Sequence, residues 1–245
     1  MSISNIVKER LARRIAGEIS LSDDPGKTMR KWREMFHIPQ VILAEKLGVS
    51  PSVISDYESG RRKSPGAKTV KRFVDVLLTI DEENGGQIIS AFGRLMGVEI
   101  PTDIILDIRD FPSPTTMARF CRTVNAELVA CEELSEQEIY GYTIIDGGLA
   151  MRELSGEAFD KLFRASTQRA LIFTNISTGR LPLVTIRSCQ GKPSLIILHG
   201  VKKIDSMVIE LARKERILLA VSHVEDIEVL IQKLRKHGFN QAEFM

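Results

Sequence analysis

Residues 40–59 read QVILAEKLGVSPSVISDYES, and this stretch decides the fold of the amino-terminal part of the chain. Leu43, Ala44 and Leu47 recur at spacings of three and four, the period of one face of an amphipathic helix. Gly48 follows, where a left-handed backbone commonly ends a helix and glycine adopts it without strain. Val49 is expected to turn back to the core. Ser50 suits an N-cap, and Pro51 suits a first helical turn whose N–H has no acceptor. Ile54 and Tyr57 are three apart and are expected to join Val49 inside. The pattern predicts two short helices joined by a tight turn, with Ala44 small enough to permit a steep crossing.

The second helix turns Ser52, Ser55, Asp56 and Ser59 outward, with Val53 at the margin. Serine donates or accepts at a base edge, aspartate accepts from cytosine N4, and valine can touch a thymine methyl. In a helix-turn-helix the second helix enters the DNA major groove. Arg61, Arg62 and Lys63 follow at once, placed to neutralise phosphates and fix docking without reading bases. Each feature alone also occurs in ordinary helical bundles. Their joint occurrence at fixed offsets, followed by a basic loop, points to duplex DNA rather than to a protein-interaction use of the same fold.

From Met29 to Leu77, about a fifth of the chain, the sequence resembles the Cro/CI-type helix-turn-helix family, also called the XRE family. The residues that carry the resemblance are Arg30, Arg33-Glu34, Gln40, Leu43-Ala44, Leu47-Gly48-Val49-Ser50, Ile54-Ser55, Tyr57-Glu58, Gly60-Arg61-Arg62 and Pro65. An apolar helix through Val70, Phe73 and Leu77 completes it. The resemblance implies that Gln40 contacts a backbone phosphate or the first base-reading side chain. It also implies that Pro51, Ser52, Ser55 and Asp56 occupy base-reading positions. The expected DNA-contacting set is thus Gln40, Ser50, Pro51, Ser52, Val53, Ser55, Asp56, Ser59, Arg61, Arg62 and Lys63. Two positions depart from the family. Pro39 stands where Ser or Thr usually caps the helix, leaving its start to solvent or to Gln40 itself. Pro51 replaces a residue that is often a long polar reader, so sequence-dependent DNA shape is expected to carry more of the specificity.

The 245 residues suffice for two ordinary domains. Residues 1–72 hold 15 Lys and Arg against 8 Asp and Glu, net +7, whereas residues 73–245 hold 19 against 24, net −5. The basic end is the end with the motif, as phosphate attraction requires. No apolar run reaches about 18 residues, and the N-terminus lacks a signal-peptide core. Cys121, Cys131 and Cys189 form no CxxC or Cys/His ligand cluster, so neither a zinc site nor a disulfide framework is indicated. No cofactor or metal is expected, and a reducing cytoplasm fits.

Along the chain, Val7, Leu11, Ile15 and Ile19 recur every four residues within 3–19. This predicts a helix that docks on the following bundle, forms a dimerisation stripe, or adds a phosphate-contacting helix. Bundle helices are expected from near Pro25 to Phe36, from Ala67 to Ile80 and from Gln87 to Met96. A domain boundary is placed near Gly97, giving a helical domain over 1–97 and an α/β domain over 98–245. Residues 97–114, with Pro101, Pro112 and Pro114, read as a break around a short apolar run. A helix is expected over 115–131. Strands are expected at Tyr140–Ile145, Ala170–Asn175, Leu183–Arg187, Ser194–Leu198 and Arg216–Val221. Helices are expected at Ser155–Ala165, Ser206–Lys214 and His223–His237, the last opened by the capping-box sequence Ser222 to Glu225. The strand–helix ending implies right-handed crossovers. A hairpin joining the strands near Leu183 and Ser194 would make the sheet mixed. Residues from Leu195 onward also resemble DRTGG-type regulatory domains over about 40 residues, without the motif that names them.

In the second domain, Asp146-Gly147-Gly148 reads as a sharp turn or a ligand-binding turn, and Ser177-Thr178-Gly179-Arg180 as a polar loop or an anion site. His199, Cys189 and Asp205 lie near one another in sequence without a nucleophile motif, and a lone His199 is more often structural. No GxxxxGK[ST] or GxGxxG sequence occurs. The fold class expected is α plus α/β: an all-helical helix-turn-helix bundle, then an α/β domain with a mixed sheet. The function expected is a sequence-specific, double-stranded-DNA-binding transcriptional regulator acting as a homodimer. Its α/β domain would sense a small-molecule effector or mediate assembly. In layout it looks most like uncharacterised archaeal members of the Cro/CI class. No catalytic residue is assigned. The alternatives are an enzyme that uses the motif for targeting or autoregulation, a multiprotein-bridging coactivator, which the missing Cys pairs argue against, and a protein-interaction adaptor.

Overall fold

The computed structural model describes residues 3–95, 100–101 and 103–236. The chain forms two compact units, Met1–Gly93 and Arg94–Met245. Gly97, Met96 and His237, at which a boundary and two helix ends were expected, lie outside the described residues.

The first unit is helical, with α1 (Ile3–Leu21), α2 (Pro25–Met35), α3 (Gln40–Leu47), α4 (Pro51–Glu58), α5 (Ala67–Glu83) and α6 (Gln87–Arg94). Leu11, Ile15 and Ile19 of α1 are buried, and the helix packs on α2 and α5. The apolar stripe is therefore spent within the unit. Asp24 caps α2 by accepting the Lys27 N–H at 3.1 Å. Trp32 is fully buried, and its Nε1 donates to Glu18 Oε2 at 2.9 Å, so the one polar atom of the indole is matched. Its ring lies 5.6 Å from that of Phe92. Val70, Phe73, Val74, Leu77 and Leu78 give α5 a continuous buried face. The Asp81 carboxylate accepts the N–H groups of Ile88 and Ile89 at 3.1 and 2.9 Å, satisfying the start of α6.

The second unit contains β1 (Ile105–Thr116), α7 (Met117–Thr123), β2 (Ala126–Ala130), β3 (Glu138–Asp146), α8 (Gly147–Glu153) and α9 (Gly156–Ala165). It continues with β4 (Ala170–Thr174), α10 (Arg180–Ile186), β5 (Leu195–His199), α11 (Ser206–Glu215), β6 (Leu218–Ser222) and α12 (Ile227–Lys236). The six-stranded sheet has the order β1-β3-β4-β5-β6-β2. Its four central strands run parallel and both edge strands antiparallel. Every residue of β4, β5 and β6 is buried, as expected of strands covered on both faces. One face packs Ile144, Ile172, Ile197 and Ala220 against Met117, Phe120, Leu230 and Leu234 of α7 and α12. Alternate residues such as Phe173 and Leu198 point the other way.

The mixed sheet is as expected, although its antiparallel members differ. Leu183–Arg187 is not a strand but lies mostly in α10, where Leu183 and Ile186, three apart, are both fully buried. No hairpin joins it to β5. The apolar run between 97 and 114 is edge strand β1. Its prolines 112 and 114 fall inside the register shift between Asp110 and Thr115, where a missing donor is tolerated. Arg169, 2% exposed, pins that bulge: it pairs with Asp110 and donates to the carbonyls of Arg109 and Tyr142. The helix expected over 115–131 stops at Thr123, because Asn125 takes φ +47° and the chain turns into β2, which holds Leu128. Asp146-Gly147-Gly148 opens α8, with Asp146 as cap. The Ser222 capping box does not form. Ser222 still pairs in β6 and donates to Val124 O at 2.7 Å, while Asp226 caps α12.

His199 is buried at the end of β5 and donates from Nε2 to Val224 O at 3.0 Å. Burial holds its pKa below the ordinary 6.5, outweighing the Val224 bond and the Asp226 charge. The neutral ring is thus favoured in the fold, and its contribution is lost as pH falls through and below about 6.5. His199→Gln, which keeps a donor but does not titrate, should flatten the loss of melting temperature between pH 7 and pH 5 relative to wild type.

Candidate DNA-binding interface

Helices α3 and α4 are eight residues each and pack on one another. Leu43 and Ala44 are fully buried and Ile54 nearly so. Gly48 sits at φ +64°, and the N–H groups of Gly48 and Val49 return to the carbonyls of Glu45 and Ala44 at 3.0 Å. That closure satisfies the last carbonyls of α3 and redirects the chain within two residues. Ser50 occupies the N-cap position with extended backbone but makes no capping bond; its Oγ lies 2.7 Å from Ser52 Oγ. Pro39 likewise offers α3 no side-chain cap. Val49 and Tyr57 are half-buried rather than core residues.

The angle of α4 is set by a buried charge pair. Glu58, on the same face as Ile54, accepts from Arg33 Nε at 2.6 Å and from Arg33 Nη2 at 2.8 Å. The Arg33 and Glu58 side chains are only 10% and 4% exposed. Arg33 Nη1 donates to Ile38 O at 2.9 Å, and Gln40 Nε2 to Glu58 Oε2 at 2.7 Å. One network thus joins α2, the connector into α3, the first residue of α3 and the last of α4. Gly26 adds a close approach: a Cβ there would lie 1.9 Å from Tyr57 O, so no side chain fits between the start of α2 and the end of α4.

The face of α4 opposite this network is open. Pro51, Ser52 and Ser59 are exposed, and Val53, Ser55 and Asp56 are half-buried. Arg61, Arg62 and Lys63 are exposed immediately beyond. Arg61 Nε donates to Asp56 Oδ1 at 2.7 Å, and the Arg62 guanidinium lies 5.6 Å from the Tyr57 ring centroid. The eleven residues expected to contact DNA are therefore gathered on α4, the residues flanking it and the start of α3. Gln40 has one amide donor committed to Glu58. Asp56 and Arg61 are partners, not independent groups. Sequence patterns did not show the Arg33–Glu58 pair, because its members are 25 residues apart and no periodicity links them. The available signal was a charged residue on the apolar face of each helix.

A helix-turn-helix family model matches residues 29–79. An uncharacterised HTH-type transcriptional regulator of Methanocaldococcus jannaschii is 42% identical over 230 residues, covering 93% of this chain and 95% of the relative. This chain belongs to the archaeal HTH-type transcriptional regulators. A second such regulator, from Archaeoglobus fulgidus, is 39% identical over 228 residues, covering 92% of this chain and 96% of its own length. The regulator is therefore a DNA-binding protein of transcription control whose kinship extends through the α/β unit. One solved structure also matches, the CBS and DRTGG domains of the regulatory region of Clostridium perfringens pyrophosphatase complexed with its activator, diadenosine tetraphosphate. It has 17% identity, a TM-score of 0.33, and coverage of 49% of this chain and 47% of that one. So low a TM-score carries no inference.

Elsewhere in this regulator, the residues singled out for chemistry are held apart by separate partners. His199 faces Val224 O, Cys189 Sγ faces Thr185 O at 3.3 Å, and Asp205 pairs with Arg180 at 2.5 Å. No group of His, Cys, Asp and Glu able to hold a metal occurs among the described residues. No described helix is long and apolar enough to cross a membrane.

Glu58→Ala leaves the Arg33 guanidinium, nearly closed to water, with only Ile38 O and the more exposed Glu34 carboxylate, 3.6 Å away, as partners. Removing one partner of a buried pair costs about 3–5 kcal/mol. A corresponding loss in chemical denaturation of the helical unit is expected, with DNA affinity falling in parallel. Full retention of stability would mean that Arg33 reaches solvent without the pair.

Proposed function

We propose that the regulator reads specific sites by laying α4 in the major groove, as a homodimer on two half-sites. One observation carries this reading: α4 is bolted on one face by the Glu58 network while its other face, ending in Arg61, Arg62 and Lys63, stands open to solvent. Ser52 and Ser55 have the donor and acceptor range for base edges, and Val53 the apolar surface for a thymine methyl. Asp56 Oδ2 is the acceptor left for a cytosine amine once Oδ1 holds Arg61. Gln40, Ser50, Pro51 and Ser59 border the same surface. Gln40 still has a second amide hydrogen to offer a phosphate.

A helix of eight residues spans few base pairs. Two-fold pairing on half-sites roughly 34 Å apart is the general remedy. The domain division follows the same logic: a DNA-binding part through about residue 97, and an α/β part from 98 that senses a small molecule or mediates assembly. A cytoplasmic location beside the DNA completes the reading.

Replacing Arg61 and Arg62 together with Ala should weaken binding to every duplex. It should also reduce the magnitude of the slope of log K against log[salt] by roughly two, since each phosphate contact contributes about 0.9. Ser52→Ala should instead change which sequence is preferred while leaving the slope intact. Both effects are read from titrations of labelled duplexes across a salt series. A double arginine variant that altered only sequence preference would remove the phosphate assignment.

A further inference from the structure

The α/β unit holds a cavity of its own. It opens at the carboxyl ends of β3 and β4 and has a volume of about 220 Å3. Gly148 and Arg152 of α8 line it from one side, and Ser177, Thr178, Gly179 and Arg180 from the other. The parallel register, with Asp146 opposite Thr174, brings these two loops together. Asn175 Nδ2 clasps them by donating to Asp146 Oδ2 at 2.7 Å.

The electrostatics of the hollow favour an anion. No carboxylate lines it, whereas two arginines do. The two nearest acids are already engaged: Asp146 Oδ1 accepts the Leu149 N–H at 2.8 Å, and Asp205 accepts the Met207 N–H and pairs with Arg180. Arg152 is exposed and makes no ion pair among the described residues. Ser177 and Thr178, in the loop that leads into α10, add two hydroxyls to the lining. Met151, Ile176 and Pro182 supply apolar wall, while one guanidinium unpaired among the described residues, a second shared with Asp205, and two hydroxyls call for a ligand with several acceptor oxygens.

We propose that this cavity binds the phosphate group of a small phosphorylated molecule, the effector of this regulator. The inference deepens the sensing role proposed above, although the site stands on its own geometry. A phosphate monoester presents three acceptor oxygens and up to two charges, enough for the Arg152 fork, the Arg180 N–H groups that Asp205 leaves free and the hydroxyls, whereas a carboxylate has two oxygens and one charge. The volume is below the roughly 300–1,000 Å3 of pockets that engulf a drug-sized ligand. The cavity therefore takes the phosphate and a few attached atoms, with the remainder of the ligand outside.

Calorimetric titration of the full chain with inorganic phosphate and with pyrophosphate, at constant ionic strength, tests the site. Saturable binding is expected, weakened roughly tenfold by Arg152→Ala, the loss of one charge-assisted fork. Arg152→Lys should restore part of the affinity. Lys161→Ala, which removes a surface charge on α9, should leave affinity unchanged. Absence of saturable binding, or equal losses in Arg152→Ala and Lys161→Ala, would overturn the site. Duplex affinity measured with the site filled and empty is a separate readout. An unchanged affinity would remove the sensing role and leave the phosphate site standing.

Discussion

The Arg33–Glu58 fork is the constraint on which the DNA-binding unit depends. Removing two charges from water costs several kcal/mol per ion, and mutual attraction repays this only when the remaining donors and acceptors are matched. Here they are, through Ile38 O and the Gln40 amide. An apolar pair of similar volume would hold the helices together as well, but it would tolerate sliding and rotation. Two parallel N–H···O bonds do not. The fork therefore acts chiefly on orientation, which a helix proposed to meet base edges would need held to within a fraction of an ångström and some tens of degrees.

The outer surface is coupled to that scaffold. Gln40 belongs to both, since its amide closes the buried network and its position borders the DNA-facing side. Asp56 and Arg61 are a second coupled pair: a group able to read a base also holds a group able to clamp a phosphate. With Arg61 exposed, that pair contributes little to stability, but it keeps the guanidinium next to α4. In the proposed docking, one carboxylate would serve both sequence reading and phosphate contact.

The helical unit was legible because its signals are local. Three- and four-residue spacing, Gly48, Pro51 and the basic run each act within a turn or two of their own position. The parallel core of β3 to β6 was legible in part, as continuous apolar runs alternating with helices. Errors gathered where a long-range partner decides the outcome. The segment at 183–187 has β-branched residues that suit a strand, yet Leu183 and Ile186 bury as one helical face. Residues 105–116 carry prolines that usually exclude a strand, and are admitted because a bulge and Arg169 absorb the missing pairing. Asn125 could not be weighed as a breaker without its positive φ. Around α4 the exposed residues could be grouped from the sequence, but the pairings among them and their neighbours could not, because side-chain partners across 18 or 25 residues leave no periodic trace.

The sheet ends in two unequal borders, and their chemistry bears on how the molecule behaves when crowded. On the β1 side, prolines 112 and 114 remove two hydrogen-bond donors from the rim and the bulge twists it. On the β2 side the rim is only five residues long and carries the exposed charge of Glu127. Neither rim offers the long, flat row of donors and acceptors on which a foreign strand could align. Addition of a foreign strand is thereby disfavoured at both borders, which keeps the sheet at its own six strands.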